Sequence, residues 1–279
     1  MPTPGTGAVA RSDSLRATAR ISQDAPARAE ASGPVPAPRR QTPLYIVTSP
    51  RPQVGKTFVA RLLTDFLRLD GGEVLAFDLN PSGDALSDYL PRFAIAADIG
   101  AVKGQMALFD RLIVADGVAK VVDLGNASFE RFFAVAQEIR FIEVALRQAI
   151  QPMVLFAADP HPVAVKAYVD LQRRFHHVTL VPVFNEAILK GQKPRDQFPF
   201  TRAAAVPLQI PVLAPMLKAQ IDRSSYSFAD VHDQLPVSIP IGLAFELRAW
   251  TRRTFVEFRE LELRGLLEQL RASLPGVEL

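Results

Sequence analysis

From Pro43 onward, short apolar runs alternate with stretches whose apolar residues recur every three or four positions. The short runs are Leu44–Ser49, Val74–Leu79, Lys120–Leu124, Met153–Ala157, Val178–Phe184 and Ile210–Leu213. Several are apolar nearly throughout, the pattern of parallel strands buried on both faces. Helical periodicity predicts helices over 57–69, 104–115, 128–149 and 161–175. The first sets Val59, Leu62, Leu63, Phe66 and Leu67 on one side and stops at Gly71-Gly72, a favourable helix end. A last long stretch, Leu243 to Leu274, repeats Leu243, Leu247, Trp250, Phe258 and Leu261 at helical spacing, then Leu263, Leu266, Leu267, Leu270 and Leu274. It predicts a helix packed back onto the sheet, or a helix that meets a partner or a membrane surface. The fold class expected is α/β: a doubly wound, mostly parallel sheet flanked by helices, with a long C-terminal helix. Ligands of such folds sit at the carboxyl ends of the strands.

The turn between the first strand and first helix carries the most specific chemistry. It reads Thr48-Ser49-Pro50-Arg51-Pro52-Gln53-Val54-Gly55-Lys56-Thr57. Strand, tight loop, Gly-Lys-Thr and helix is the layout of a phosphate-binding loop, in which backbone N–H groups and the helix N-terminus face phosphate. Lys56 then adds a point charge at the β- and γ-phosphates, and the Thr57 hydroxyl reaches Mg²⁺.

Two acids close neighbouring runs: Asp78 in Val74-Leu75-Ala76-Phe77-Asp78-Leu79-Asn80-Pro81, and Asp123 in Val121-Val122-Asp123-Leu124-Gly125. A carboxylate at the end of a buried strand is expensive unless it meets a cation or donors. Beside a phosphate loop, the expected partner is Mg²⁺, held directly or through water. The alternative is a helix cap, which for Asp123 the following loop and Ser128 make plausible.

Composition narrows the picture. The chain has 279 residues, 48% of them hydrophobic, and no cysteine. Disulfides, thiolate metal sites and a cysteine nucleophile are excluded. No apolar run reaches the length of a membrane span. The four histidines are His161, His176, His177 and His232, and the adjacent pair cannot share one face of an element, so surface or capping roles are expected for them. Residues 1–40 are rich in Pro, Ala, Ser and Arg and hold six arginines against three acids. They account for the formal charge of +3 and are expected to be a disordered tail. The remaining basic and acidic residues cancel, so bulk charge indicates neither nucleic acid nor membrane as a partner. The expected organisation is a tail over 1–41, a nucleotide-binding domain over 42–238 and a helical extension over 239–279. A cytoplasmic location fits the absence of cysteine.

The order of these motifs resembles the ParA/MinD group of P-loop ATPases over about residues 43 to 235. That group carries a variant Walker A loop containing Lys-Gly-Gly-Val-Gly-Lys-Thr, here Arg51-Pro52-Gln53-Val54-Gly55-Lys56-Thr57. Asp78-Leu79-Asn80-Pro81 resembles its Asp-x-Asp-Pro switch, and Val121-Val122-Asp123 its Walker B strand. Asn185 falls where the group places an asparagine against adenine, and Pro211-Val212-Leu213-Ala214-Pro215 resembles the loop covering the base. The resemblance implies ATP and Mg²⁺ as ligands. It implies that Arg51 through Phe58, Asn185 and Pro215 hold the nucleotide. Thr57, Asp78 and Asp123 hold the metal, and Lys56, Asp78 and Asn80 act on phosphoryl transfer. The partners implied are a protein reading the switch region (Ser82 to Ile99, with the charged loop Lys190 to Asp196) or the C-terminal helix, and a second copy of the chain.

The departures are specific. Arg51 replaces the group's signature lysine, keeping charge with a bidentate head. Pro52 and Gln53 replace glycines that permit a face-to-face dimer, and proline lacks the N–H. Asn80 replaces the second switch carboxylate; an amide orients water but takes no proton. Ser49, Pro52, Gly55 and Lys56 also resemble the loop of bacterial tyrosine kinases of polysaccharide export, but the last tyrosine is Tyr226, so no tyrosine-rich tail follows. Three readings result: an ATP-dependent switch with slow hydrolysis that positions a cargo, a non-catalytic binding module of the same fold, or a kinase-like regulator.

Overall fold

The computed structural model describes residues 41–69, 71–80, 85–190, 200, 206–222, 226–233 and 239–273, with backbone alone for 231–233, 269 and 271–273. The expected tail over 1–40, Pro81 to Asp84, residues 191–196 of the charged loop and Leu274 lie outside these.

Seven strands form one sheet: β1 (Thr42–Thr48), β2 (Val74–Asp78), β3 (Ala94–Ala96), β4 (Ala119–Leu124), β5 (Ile150–Ala157), β6 (Thr179–Asn185) and β7 (Leu208–Ile210). Their order is β3-β2-β4-β1-β5-β6-β7, and every pairing is parallel. Ten α-helices lie among the described residues: α1 (Lys56–Leu69), α2 (Leu86–Tyr89), α3 (Val102–Leu112), α4 (Phe129–Glu138), α5 (Phe141–Arg147), α6 (Pro162–Arg174), α7 (Glu186–Leu189), α8 (Pro215–Ile221), α9 (Phe228–Asp233) and α10 (Ile241–Ser273). This is the expected α/β fold, a doubly wound, all-parallel sheet flanked by helices, with a long C-terminal helix.

Alternation along the strands splits the core in two. Tyr45, Val47, Ala76 and Val121 face a layer built by α1, α8, α9 and α10, with Val59, Leu63, Phe66, Leu217, Phe228 and Trp250 among its members. Leu44, Ile46, Phe77 and Val122 face the opposite layer, filled by Phe109, Phe132, Phe141 and Tyr168 from α3 to α6. Central strands are therefore buried on both sides, which is why their sequences lack alternation. Each fully buried Leu, Ile or Phe contributes roughly 1.5–3 kcal/mol.

Several elements differ from expectation, and the short helices α2, α7, α8 and α9 were not expected. The helix expected over 128–149 is two helices, because Arg140 turns into the left-handed region at φ 50°. The turn keeps Phe141, Ile142 and Ala145 of the second helix in the same core. The strand expected over Ile210–Leu213 lies earlier, because Pro211 has no N–H to continue the ladder. The edge strand β3 was not expected at all; three residues are too few to show a period. The long helix α10 packs Leu247, Trp250, Phe255, Phe258 and Leu261 onto the sheet's α1 side, while Leu263, Leu266, Leu267 and Leu270 stay exposed. Glu257 on α10 accepts a bond from the Gln209 backbone N–H at 3.1 Å, shielding the β7 edge. Among the described residues no helix is long and apolar enough to cross a membrane.

The two ends of β4 carry opposite charges. At the amino end, Lys120 is buried, and its Nζ donates to Val114 O at 2.8 Å, Val118 O at 3.3 Å and Asp116 Oδ1 at 2.7 Å. At the carboxyl end stands Asp123.

Candidate functional site

β1 stops at Thr48, and the chain turns through a loop before α1 starts at Lys56. Gly55 closes the turn with φ +88°, a conformation that a side chain resists. A Cβ there would also lie 2.6 Å from Asn185 Nδ2. The glycine thus serves both the turn and the approach of β6 to the loop. Its carbonyl accepts from Val59 N at 3.0 Å, starting the helix. Gln53 holds φ 58° without being glycine, at a cost on the order of 1 kcal/mol.

Lys56 folds across this loop. Its Nζ donates to Arg51 O at 2.6 Å. The side chain is largely buried, and burial lowers its pKa while Asp123 partly restores it. Arg51 turns the other way: its Nε meets Asp159 Oδ2 at 3.1 Å, just past β5. The other Asp159 oxygen accepts from the His161 backbone N–H at 3.0 Å.

Asp78 and Asp123 are register partners across β2 and β4. Both follow, two residues on, a member of the α1-side core (Ala76 and Val121), so both carboxylates face α1. Their surroundings differ sharply. Asp123 is fully buried, and neither oxygen has a hydrogen-bond partner of good geometry. Burial pushes its carboxyl up to about 7; Asp78 adds to the rise, while the Thr57 hydroxyl and Lys56 oppose it. Thr48 Oγ1, at the end of the adjacent strand, is buried and unpartnered too. Asp78 is well supplied instead, with three donors. Its Oδ1 accepts from Asn80 N at 3.0 Å, and its Oδ2 from Ser87 N at 3.0 Å and Ser87 Oγ at 3.1 Å. Helix capping, considered for Asp123, is what Asp78 does for α2. Ser128 bonds Leu79 O instead, at 3.0 Å.

A cavity of about 710 Å³ opens above these groups. That volume is in the range of small-molecule and cofactor sites. Pro52, Gln53, Gly55, Lys56, Thr57, Phe58, Asn80 and Asn185 all line it. Eight of the expected residues therefore meet at one place. Val54 is buried behind the loop, Arg51 points away to Asp159, and the two aspartates lie beneath rather than on the wall. Pro215 sits in the first turn of α8, and Pro211 and Leu213 supply the wall on that side. Asn185 uses its Oδ1 to cap α7 at Ala187 N, 3.2 Å away, which leaves its amide nitrogen beside Gly55. Phe58 stacks toward Trp250 with centroids 5.8 Å apart, and Trp250 Nε1 donates to Pro211 O at 3.3 Å. The C-terminal helix therefore braces the cavity wall.

Sequence reasoning missed Arg61, Tyr89, Asn126, Lys218 and Asp222, which also line the cavity. Arg61 is almost fully buried, with NH2 donating to Ile221 O at 2.7 Å and its guanidinium 3.6 Å from the Tyr89 ring centroid. The available signal was its place four residues before Asp65, an oppositely charged pair on one face of a helix that is otherwise largely buried. Among the described residues no cluster of three or more His, Asp or Glu could hold a metal unaided.

No protein-family model matches the sequence, and no curated protein sequence matches it significantly. Among solved structures, the chain is similar to the MinC:MinD cell division protein complex of Aquifex aeolicus. That match has 16% identity over 76% of this chain and 94% of the other, with a TM-score of 0.48. It is also similar to a nucleotide-binding protein of Archaeoglobus fulgidus in complex with ADP. There the identity is 13% over 64% of this chain and 84% of the other, with a TM-score of 0.37. The functional reading therefore stands on the chain's own geometry.

Proposed function

We propose that this chain binds a nucleoside triphosphate with Mg²⁺ in the cavity over α1, and works as a ParA/MinD-like switch with slow hydrolysis. The observation that carries this reading is Asp123. A fully buried carboxylate with two unpartnered oxygens, next to Thr57 and Lys56 at the foot of a phosphate-type loop, costs several kcal/mol unless a cation completes it. The unpartnered Thr48 hydroxyl and the cradle that a Cβ at Gly55 would obstruct fit the same ligand. Thr57, Asp123 and Asp78 would hold the metal. Bound Mg²⁺–nucleotide would supply an electrophilic γ-phosphoryl group and neutralise its charge.

The protein's own groups then divide the work. The N-terminus of α1 and the N–H groups around Gly55 face the phosphates. Lys56 exchanges the Arg51 carbonyl for a phosphate oxygen. Asn80 and Asn126 on the cavity wall orient a water without accepting its proton, which keeps turnover slow. ATP rather than another nucleotide rests on the place of Asn185 and on the resemblance of the loop following it. A cytoplasmic location and the positioning of a cargo belong to the same resemblance.

The second reading, a binding module without catalysis, is favoured by the Arg51–Asp159 pair. It keeps Arg51 within its own subunit, where the ParA/MinD signature lysine reaches a neighbour's phosphates. Calorimetric titration with ATP, with and without Mg²⁺, followed by phosphate release, tests both. Binding that falls about a hundredfold in Lys56→Ala supports the nucleotide site. A phosphate release rate equal in wild type and Asp123→Ala favours the module. Absence of binding by any nucleotide overturns the proposal.

A further inference from the structure

Asp78 has two claims on it. Resting on the nucleotide reading above, Asp78 is a metal-site carboxylate; in the structure its Oδ2 accepts both Ser87 N and Ser87 Oγ, while its Oδ1 accepts Asn80 N alone. A carboxylate oxygen that accepts two bonds from Ser87 is not free for a cation or a metal-bound water in the same position. Ser87 belongs to α2, and α2 is fixed a second time. Tyr89, two residues on, lies under the Arg61 guanidinium at 3.6 Å, and that guanidinium is anchored to Ile221 O at the end of α8. Both Tyr89 and Arg61 line the nucleotide cavity. Asp123, in register with Asp78 and 0% exposed, has no such partner. Of two neighbouring carboxylates on one face, one is left open and the other is occupied by a serine.

We propose that Ser87 is a positioning residue that competes with Mg²⁺ for the Oδ2 oxygen of Asp78, and that the Tyr89–Arg61 stack holds Ser87 in place. Engagement of the metal through Asp78 Oδ2 requires Ser87 to let go. The affinity for the Mg²⁺–nucleotide is therefore lowered by the strength of the Ser87 contact, while the affinity for nucleotide alone is not. The coupling runs through one residue pair, so it is visible in binding rather than in turnover.

The test is calorimetric titration of full-length protein with ADP, in Mg²⁺ and in EDTA. Ser87→Ala removes one of the two bonds and is expected to tighten binding in Mg²⁺ about fivefold to tenfold, with no change in EDTA. Ser87→Thr keeps the hydroxyl and is expected to behave as wild type. Tyr89→Leu, which leaves Ser87 and the α8 carbonyls untouched, is expected to shift binding in the same direction by a smaller factor. Equal affinity of Ser87→Ala and wild type in Mg²⁺ overturns the inference but leaves the nucleotide site intact. So does a change of equal size in EDTA. Failure of wild type to bind ADP under either condition overturns both the site and the inference built on it.

Discussion

Lys120 and Asp123 sit three residues apart on one strand, both buried, both charged, and they are treated in opposite ways. Lys120 is surrounded by three acceptors at the amino end of the sheet. At the carboxyl end neither oxygen of Asp123 has a hydrogen-bond partner of good geometry. The fold evidently has the means to satisfy a buried charge, since it does so about 10 Å away by the rise of a strand. Leaving Asp123 bare is thus a property of that end, where strand tips, the loop and the start of α1 converge beneath a cavity. A satisfied buried charge stabilises the fold; an unsatisfied one beside a cavity marks a place for a ligand.

The sharpest way to break the comparison is Lys120→Met. It keeps the stem and removes the ammonium, leaving two carbonyls and Asp116 short of a donor. The expected loss is about 3 kcal/mol of unfolding free energy in urea denaturation, with nucleotide affinity within about twofold of wild type. A large loss of binding with intact stability would reverse the roles assigned to the two ends.

Asp123→Asn is expected to act the other way, and with pH. The folded carboxyl titrates at about 7, above the unfolded value of roughly 3.9. The folded state holds the proton more tightly, so this group's contribution to stability falls as pH rises from about 4 to 7 and stays low above that. Asparagine removes the penalty. At pH 8 the variant is expected to be more stable than wild type by roughly 2 kcal/mol, a gain that fades toward pH 4. The same variant loses the Mg²⁺-dependent part of nucleotide affinity, which in wild type grows as pH rises through about 7. Denaturation midpoints at the two pH values, paired with titrations, read both effects.

The smallest effect is expected at the site's exposed edge. Arg51→Gln breaks the pair with Asp159, which is partly open to water, and should change stability by less than about 0.5 kcal/mol, less still in 1 M salt. A much larger change in thermal midpoint would mean that the loop depends on this pair for its shape.

Much of the site was legible because the loop is local. Gly55, Lys56 and Thr57 are consecutive, and their shared place at the cavity follows from a strand-turn-helix read along the chain. The strand ends bearing Asp78 and Asp123 were legible from apolar runs that stop at an acid. The state of each acid was not. Whether a carboxylate is capped or bare depends on Ser87, nine residues beyond Asp78, and on what β4 lacks at its tip. Arg61 and Tyr89 were missed for the same reason: neither belongs to a motif, and their meeting requires α1, α2 and α8 to be packed. The break at Arg140 carried no glycine or proline to announce it.

What the sequence determined by itself is the periodicity of burial and the order of elements, because both are set by side chains along a short stretch of backbone. It determined the strand–turn–helix around Gly55 for the same reason. The tertiary structure alone decided which of two neighbouring aspartates is left without partners, which side chains wall the cavity and how the last helix braces it. Those outcomes depend on groups far apart in the chain, whose distances are fixed only when the two layers close over the sheet.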